Sequence, residues 1–190
     1  MLKEGGAAST PQGGIRRAYL MRLFIAIEFD EKLLQALTNL QSEWKVLGVR
    51  GNFTPVQNLH LTLAFIGEYA NPNAVLEAMN SVSFASFSIA LDGIGTFRDI
   101  YWAGILENNA LSNYVRRLRR ALAENAIPYD RKRFSPHITL VRKAEFNGSM
   151  EELLKNPPKG EMEVNSVSIM SSTRGKNGMI YTKVGGVEAN

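Results

Sequence analysis

The sequence predicts an α+β fold of two similar lobes, each a small, mostly antiparallel sheet backed by helices. Three observations point to it. Two long segments carry apolar residues at helical spacing, short apolar runs of strand character flank each of them, and the elements follow the same order in both halves of the chain.

Residues 21–29, MRLFIAIEF, are rich in Leu, Ile and Phe, as suits a buried strand. Asp30 stands where an N-cap belongs, and Leu33, Leu37, Leu40, Trp44 and Leu47 then recur at three- and four-residue steps, the apolar face of one helix. A looser stretch, GVRGNFTPVQN, leads into a second strand, LHLTLAFIG, at 59–67. Asn71-Pro72 reads as the N-cap and first position of a short helix ending near residue 80. Strands follow at 87–91 and 101–106, separated by the turn-prone DGIGTFRD. The second long helix runs over about 109–125, with Leu111, Val115, Leu118 and Leu122 toward the core and Arg116, Arg117, Arg119 and Arg120 on the wet side. After the loop IPYDRKRFSP come a strand, HITLVR (137–142), a weak helix near 149–155, and strands at 162–170 and 179–184. Residues 1–20 are small, polar and Gly-rich, without the apolar stretch of a signal peptide. They predict a flexible extension, with the bilobal domain occupying 21–190.

Composition narrows the chemistry. The 190 residues are 45% hydrophobic and 21% charged, enough apolar content for one domain or two small lobes, and the net charge of +4 is mildly favourable for a polyanionic partner. Cysteine is absent, which excludes disulfides, thiolate catalysis and Cys-ligated zinc or iron–sulfur sites. Only two histidines occur, and there is no acidic cluster of the kind a carboxylate Mg²⁺ site needs, so neither a metal nor a cofactor is expected. No apolar run approaches the ~20 residues that span a bilayer. A monomer in the cytoplasm, away from membranes, is the expectation.

Both histidines lie in the same local sequence, His60-Leu61-Thr62-Leu63 and His137-Ile138-Thr139-Leu140. Side chains alternate along a strand, so each His–Thr pair shares one face while the aliphatic residues anchor the other. With eight Thr and twenty Leu in the chain, a given histidine is followed by x-Thr-Leu by chance with probability about 0.004. Two half-buried strand histidines bonded to nearby threonines would be the bland reading of one such motif. Two copies that use every histidine, in equivalent places of similar halves, favour chemistry. Phosphodiester cleavage needs a base for the nucleophile and an acid for the departing oxygen, and histidine serves either purpose near neutral pH. Thr hydroxyls can donate to non-bridging phosphate oxygens.

The paired HxTL strands, the opening MRLFIAIEF, and the stretches NLHLTLAFIGE and FSPHITLVR resemble the two-histidine (LigT-like) phosphoesterases over about residues 21–184. Within them the chain is similar to the RNA 2′,3′-cyclic phosphodiesterase, or 2′-5′ RNA ligase, branch. The family pattern extends to HxTxxF and HxTxxR, matched here by His60, Thr62 and Phe65 and by His137, Thr139 and Arg142. The resemblance implies an active site in the cleft between the lobes. There His60 would protonate the ribose O3′, His137 would activate water, Arg142 would clamp the phosphate, and Phe65 would stack on the terminal base. The implied substrate is RNA with a 2′,3′-cyclic phosphate terminus or a small cyclic nucleotide, the implied product a 2′-phosphate, and 2′-5′ RNA ligation a second activity. The basic run Arg131-Lys132-Arg133 reads either as a guide for an RNA backbone or as a solvated loop. Many relatives carry aromatic-Val-Pro where this chain has Phe53-Thr54-Pro55. Two alternatives stay open: the same fold acting on another cyclic nucleotide or oligonucleotide end, and a non-catalytic nucleotide- or RNA-binding module.

Overall fold

The computed structural model describes residues 19–190 apart from Asn177, so all but the last two residues of the expected N-terminal extension lie outside the described residues. Strand β1 (Met21–Glu28) leads into α1 (Glu31–Leu47). The Asp30 carboxylate caps this helix by accepting from the Leu33 N–H at 2.7 Å, and Gly48 ends it in the left-handed region at φ 99°. Leu33, Leu37, Leu40 and Trp44 are buried as their spacing predicts. Leu47, expected on the same face, is exposed, because the helix ends there and the chain turns away at Gly48.

Next come β2 (Arg50–Phe53), a single 3-10 turn (Val56–Asn58), β3 (His60–Tyr69) and α2 (Pro72–Asn80), capped by Asn71. The chain continues through β4 (Phe87–Phe97), β5 (Ile100–Ile105), α3 (Asn109–Glu124), β6 (His137–Glu145) and the one-turn α4 (Met150–Leu153). It closes with β7 (Glu161–Val164), β8 (Ser166–Gly175) and β9 (Gly178–Glu188). The segment DGIGTF, expected as a turn, continues β4, and the reversal is confined to Arg98–Asp99. The single strand expected over 162–170 is two strands broken at Asn165, the first pairing with β4 and the second with β1.

The strands form two antiparallel sheets, in the orders β3-β1-β8-β9 and β2-β6-β5-β4-β7. Set side by side, β3-β1-β8-β9 and β6-β5-β4-β7 correspond, with β2 added at one edge. The halves of the chain therefore trade strands: β4 leaves the first half for the second sheet, and β8 and β9 return from the C-terminus to the first. Helices cross over as well. α1 packs on the second sheet, its Trp44 ring meeting Tyr101 of β5 edge-on at 6.1 Å, while α2 lies on the first sheet and against α3. One continuous apolar core runs through both lobes, from Leu23, Ile25 and Ile27 of β1 to Ile138, Leu140 and Val141 of β6.

β2 has no apolar periodicity and exists because β6 offers it a partner. Its Gly51 has φ 139°, and a Cβ there would fall 2.8 Å from both the Lys143 carbonyl oxygen and Val141 Cγ1. Gly51→Ala is therefore expected to loosen β2 and to cost about 1–3 kcal/mol of stability. Urea unfolding would show this as a lower midpoint at unchanged slope; a wild-type midpoint would contradict the packing described.

Candidate active site

Strand periodicity puts His60 and Thr62 on one face of β3, yet position 65 should by alternation face the other way. It does not, because the strand is irregular at Leu63. Ile25 of β1 lies opposite Ala64 and Ala26 opposite Thr62, so Leu63 is an extra residue without a partner. The burial pattern shows the same phase shift, with Leu63 and Ala64 consecutively buried and Phe65 back on the face of His60. The second motif repeats this. Tyr101 lies opposite Val141 and Trp102 opposite Thr139, so Leu140 is the extra residue and Arg142 returns to the face of His137. The H-x-T-x-x-F and H-x-T-x-x-R spacings are thus the signature of a bulge at the fourth position.

A bulge leaves a carbonyl outside the ladder, and buried carbonyls need donors. Arg119 of α3 supplies two to Leu63 O, from Nε at 3.2 Å and Nη2 at 3.1 Å, while its Nη1 donates to Lys132 O at 2.8 Å. Gln41 of α1 donates from Nε2 to Leu140 O and to Thr54 O, both at 2.9 Å, and the Thr54 N–H adds a bond to Leu140 O at 2.8 Å. Arg119, expected on the wet side of α3, is therefore turned inward by the motif it serves.

Both imidazoles are oriented alike. His60 Nδ1 lies 2.7 Å from Asn58 O and His137 Nδ1 lies 2.8 Å from Ser135 O. A carbonyl only accepts, so each Nδ1 carries a hydrogen and Nε2 is the nitrogen that can accept a proton. His60 Nε2 is 2.9 Å from the Thr62 hydroxyl. Asn58 is itself fixed by a hydrogen bond from its Nδ2 to Met179 O at 2.8 Å.

The site floor is aromatic. His60 packs on Phe24 at 4.9 Å and edge-on to Tyr181 at 5.3 Å. Phe24 reaches it diagonally because the residue opposite Thr62 is the small Ala26. His137 packs edge-on to Phe97 at 5.0 Å and near Trp102 at 6.1 Å. Trp102 in turn requires Gly95 beneath it, where a Cβ would fall 2.2 Å from the indole ring. Phe65 joins a small apolar cluster with Phe24, Ala26, Met170 and Tyr181, partly exposed, with the Arg22 guanidinium 4.8 Å from its ring centroid. Of these aromatic residues the sequence singled out Phe65 but not Phe24, Phe97, Trp102 or Tyr181, and it gave no site role to Arg119 or Gln41.

β3 and β6 lie against each other where the sheets meet, which brings the two motifs together. The electrostatics report the same proximity. Burial pushes the His60 imidazole below its ordinary value, the Asn58 carbonyl opposes, and the cationic charges of Arg142 and His137 push it down further, against a lesser pull from Glu28. Arg142 is exposed and makes no ion pair among the described residues. Thr139 shares the face of His137. Arg131, Lys132 and Arg133 are exposed, and their loop is pinned beside Phe65 by the bond from Asp130 N–H to Phe65 O at 2.8 Å. Lys132 is countered by Asp130 at 3.3 Å.

Two antiparallel sheets that present matching His-x-Thr faces, each re-phased by a bulge, define a two-histidine (LigT-like) phosphoesterase. The profile of the 2′-5′ RNA ligase superfamily matches residues 28–176, and the chain belongs to that family. It is 30% identical over 180 residues to an RNA 2′,3′-cyclic phosphodiesterase of Aquifex aeolicus, covering 87% of this chain and 95% of the relative. It is 28% identical to one of Thermotoga maritima, covering 85% and 91%. Among solved structures, Escherichia coli LigT in its apo form superposes with a TM-score of 0.77 at 24% identity, covering 90% of this chain and 98% of LigT.

Because the chain has only two histidines, their proton NMR titrations are directly separable. His60 is expected to titrate below the ordinary ~6.5. Arg142→Gln removes a neighbouring cation, so the His60 titration should move up. An unchanged His60 titration would mean that Arg142 does not share the site.

Proposed function

We propose that the protein hydrolyses RNA 2′,3′-cyclic phosphate ends to 2′-phosphate ends, with His60 as general acid and His137 as general base, and without a metal ion. The observation that carries this reading is the matched pair of histidines, each with Nδ1 tied to the carbonyl two residues back and Nε2 left for chemistry.

Neutral His137 accepts a proton at Nε2 from a water molecule as that water attacks phosphorus. The P–O3′ bond opposite the attacking water breaks, and O3′ takes the proton from Nε2 of protonated His60. The ribose keeps a 3′-hydroxyl and a 2′-phosphate. The histidines finish with their protonation states exchanged, and solvent resets them. Arg142, with its planar fork of donors, holds non-bridging oxygens, and the Thr62 and Thr139 hydroxyls donate as charge shifts between them. The lowered affinity of His60 for a proton is compensated on binding: the phosphodiester anion beside Arg142 offsets the cations that depress it. Phe65 offers the half-exposed part of its ring to the terminal base, the kind of stacking that tolerates any base. A 5′-hydroxyl in place of water would give a 2′-5′ linkage by the same two proton transfers. The site is expected to act in a monomer, on a cyclic phosphate at an RNA end or in a small nucleotide, in the cytoplasm.

RNA ending in a 2′,3′-cyclic phosphate, incubated with EDTA, should yield a terminal 2′-phosphate. His60→Ala and His137→Ala should each slow this by ~10²–10⁴. On a nitrophenyl phosphodiester, whose leaving group departs without a proton, His60→Ala should regain much of its activity while His137→Ala stays poor. Recovery by His137→Ala instead would reverse the roles, and a 3′-phosphate product would reject the assignment of the leaving oxygen.

A further inference from the structure

The bulge carbonyls are held from the opposite half of the molecule. Gln41 and Arg119 each bond a carbonyl thirteen positions further along their own half, Thr54 and Lys132, and each bonds the bulge of the motif strand from the other half. The Arg119 guanidinium is further seated near the Tyr129 and Phe134 rings, at 5.9 and 5.5 Å from their centroids. Both side chains spend their donors on backbone carbonyls. What each controls is the phase of the strand beyond its bulge, and two residues beyond stands Phe65 in one motif and Arg142 in the other.

We propose that Arg119 and Gln41 are crossed positioning residues, Arg119 setting Phe65 for the base and Gln41 setting Arg142 for the phosphate. This rests on the function proposed above. If the fourth-position carbonyl loses its side-chain donor, the bulge can slip toward regular pairing, and a one-residue slip turns the following side chain to the opposite face. The two losses differ in kind. A displaced Phe65 costs ground-state affinity for the base, whereas a displaced Arg142 costs stabilisation of the charge that rearranges at phosphorus.

The test uses the full chain and two substrates, a nucleoside 2′,3′-cyclic phosphate and the baseless methyl riboside 2′,3′-cyclic phosphate. Arg119→Met should raise KM for the nucleotide by roughly 5- to 150-fold, the range for loss of one base–aromatic stack. Its defect should shrink on the baseless substrate. Gln41→Met should instead lower kcat by up to ~100-fold, the effect of an ångström-scale misplacement, and equally on both substrates. Leu140 O keeps the Thr54 N–H in that variant, so the fold has a remaining tie. Arg119→Lys retains donors and should recover part of the KM. Turnover by the wild type with the same proportional loss in both variants on both substrates would overturn crossed positioning and leave the proposed function standing. No turnover by the wild type would overturn the function and this inference with it.

Discussion

A strand repeats its faces every two residues, yet here three side chains from one strand share a face at offsets of zero, two and five. One extra residue in each motif strand resolves the conflict and leaves a carbonyl outside the ladder. The organisation of the molecule can be followed from that carbonyl. In each case a helix of the other half supplies a donor, Arg119 for Leu63 and Gln41 for Leu140, the latter alongside the Thr54 N–H. The two lobes are consequently not two copies resting together. Each braces the other's histidine strand, and the exchange of β4 against β8 and β9 ties them in the same sense.

The electrostatics follow from bringing two histidines and an arginine onto adjacent strands. Burial and the neighbouring cations disfavour the proton on His60, with the Asn58 carbonyl and the more exposed Glu28 carboxylate in opposition. Glu28 lies opposite His60 in the ladder and is shared with Ser168 and Lys183, which tempers its pull. Such a cluster is short of negative charge. In the proposed reaction the substrate anion supplies it, so that binding the substrate and protonating His60 are one event rather than two.

Much of this was legible in the sequence. The motif pair, the caps at Asp30 and Asn71 and most of the faces of both long helices rest on local rules, and local rules are what a sequence displays; the extensions to Phe65 and Arg142 came from the family resemblance, since alternation alone places them on the opposite face. What escaped was non-local. β2 is a strand because β6 stands beside it, and the run at 162–170 divides at Asn165 because its two parts answer to different neighbours. Arg119 looked like one more exposed arginine among four, since nothing near it in sequence announces a carbonyl fifty-six residues away. The aromatic floor was hidden in the same way: Phe24 and Trp102 read as ordinary strand residues until the register set them beside the histidines. The offset of five was itself a clue to a bulge, and with alternation taken strictly it could have been drawn from the sequence.

The central claim is that two histidines, held alike, act on one phosphorus from opposite sides. A crystal structure with a nucleoside 2′,3′-cyclic vanadate, which holds the metal centre in the trigonal-bipyramidal geometry of in-line displacement, tests it most directly. The account predicts His60 Nε2 at ~2.7–3.2 Å from the apical ribose oxygen and His137 Nε2 at a similar distance from the apical water-derived oxygen, with Arg142 on the equatorial oxygens. Both histidines on the same side of the vanadate, or either one out of hydrogen-bond reach, would contradict it.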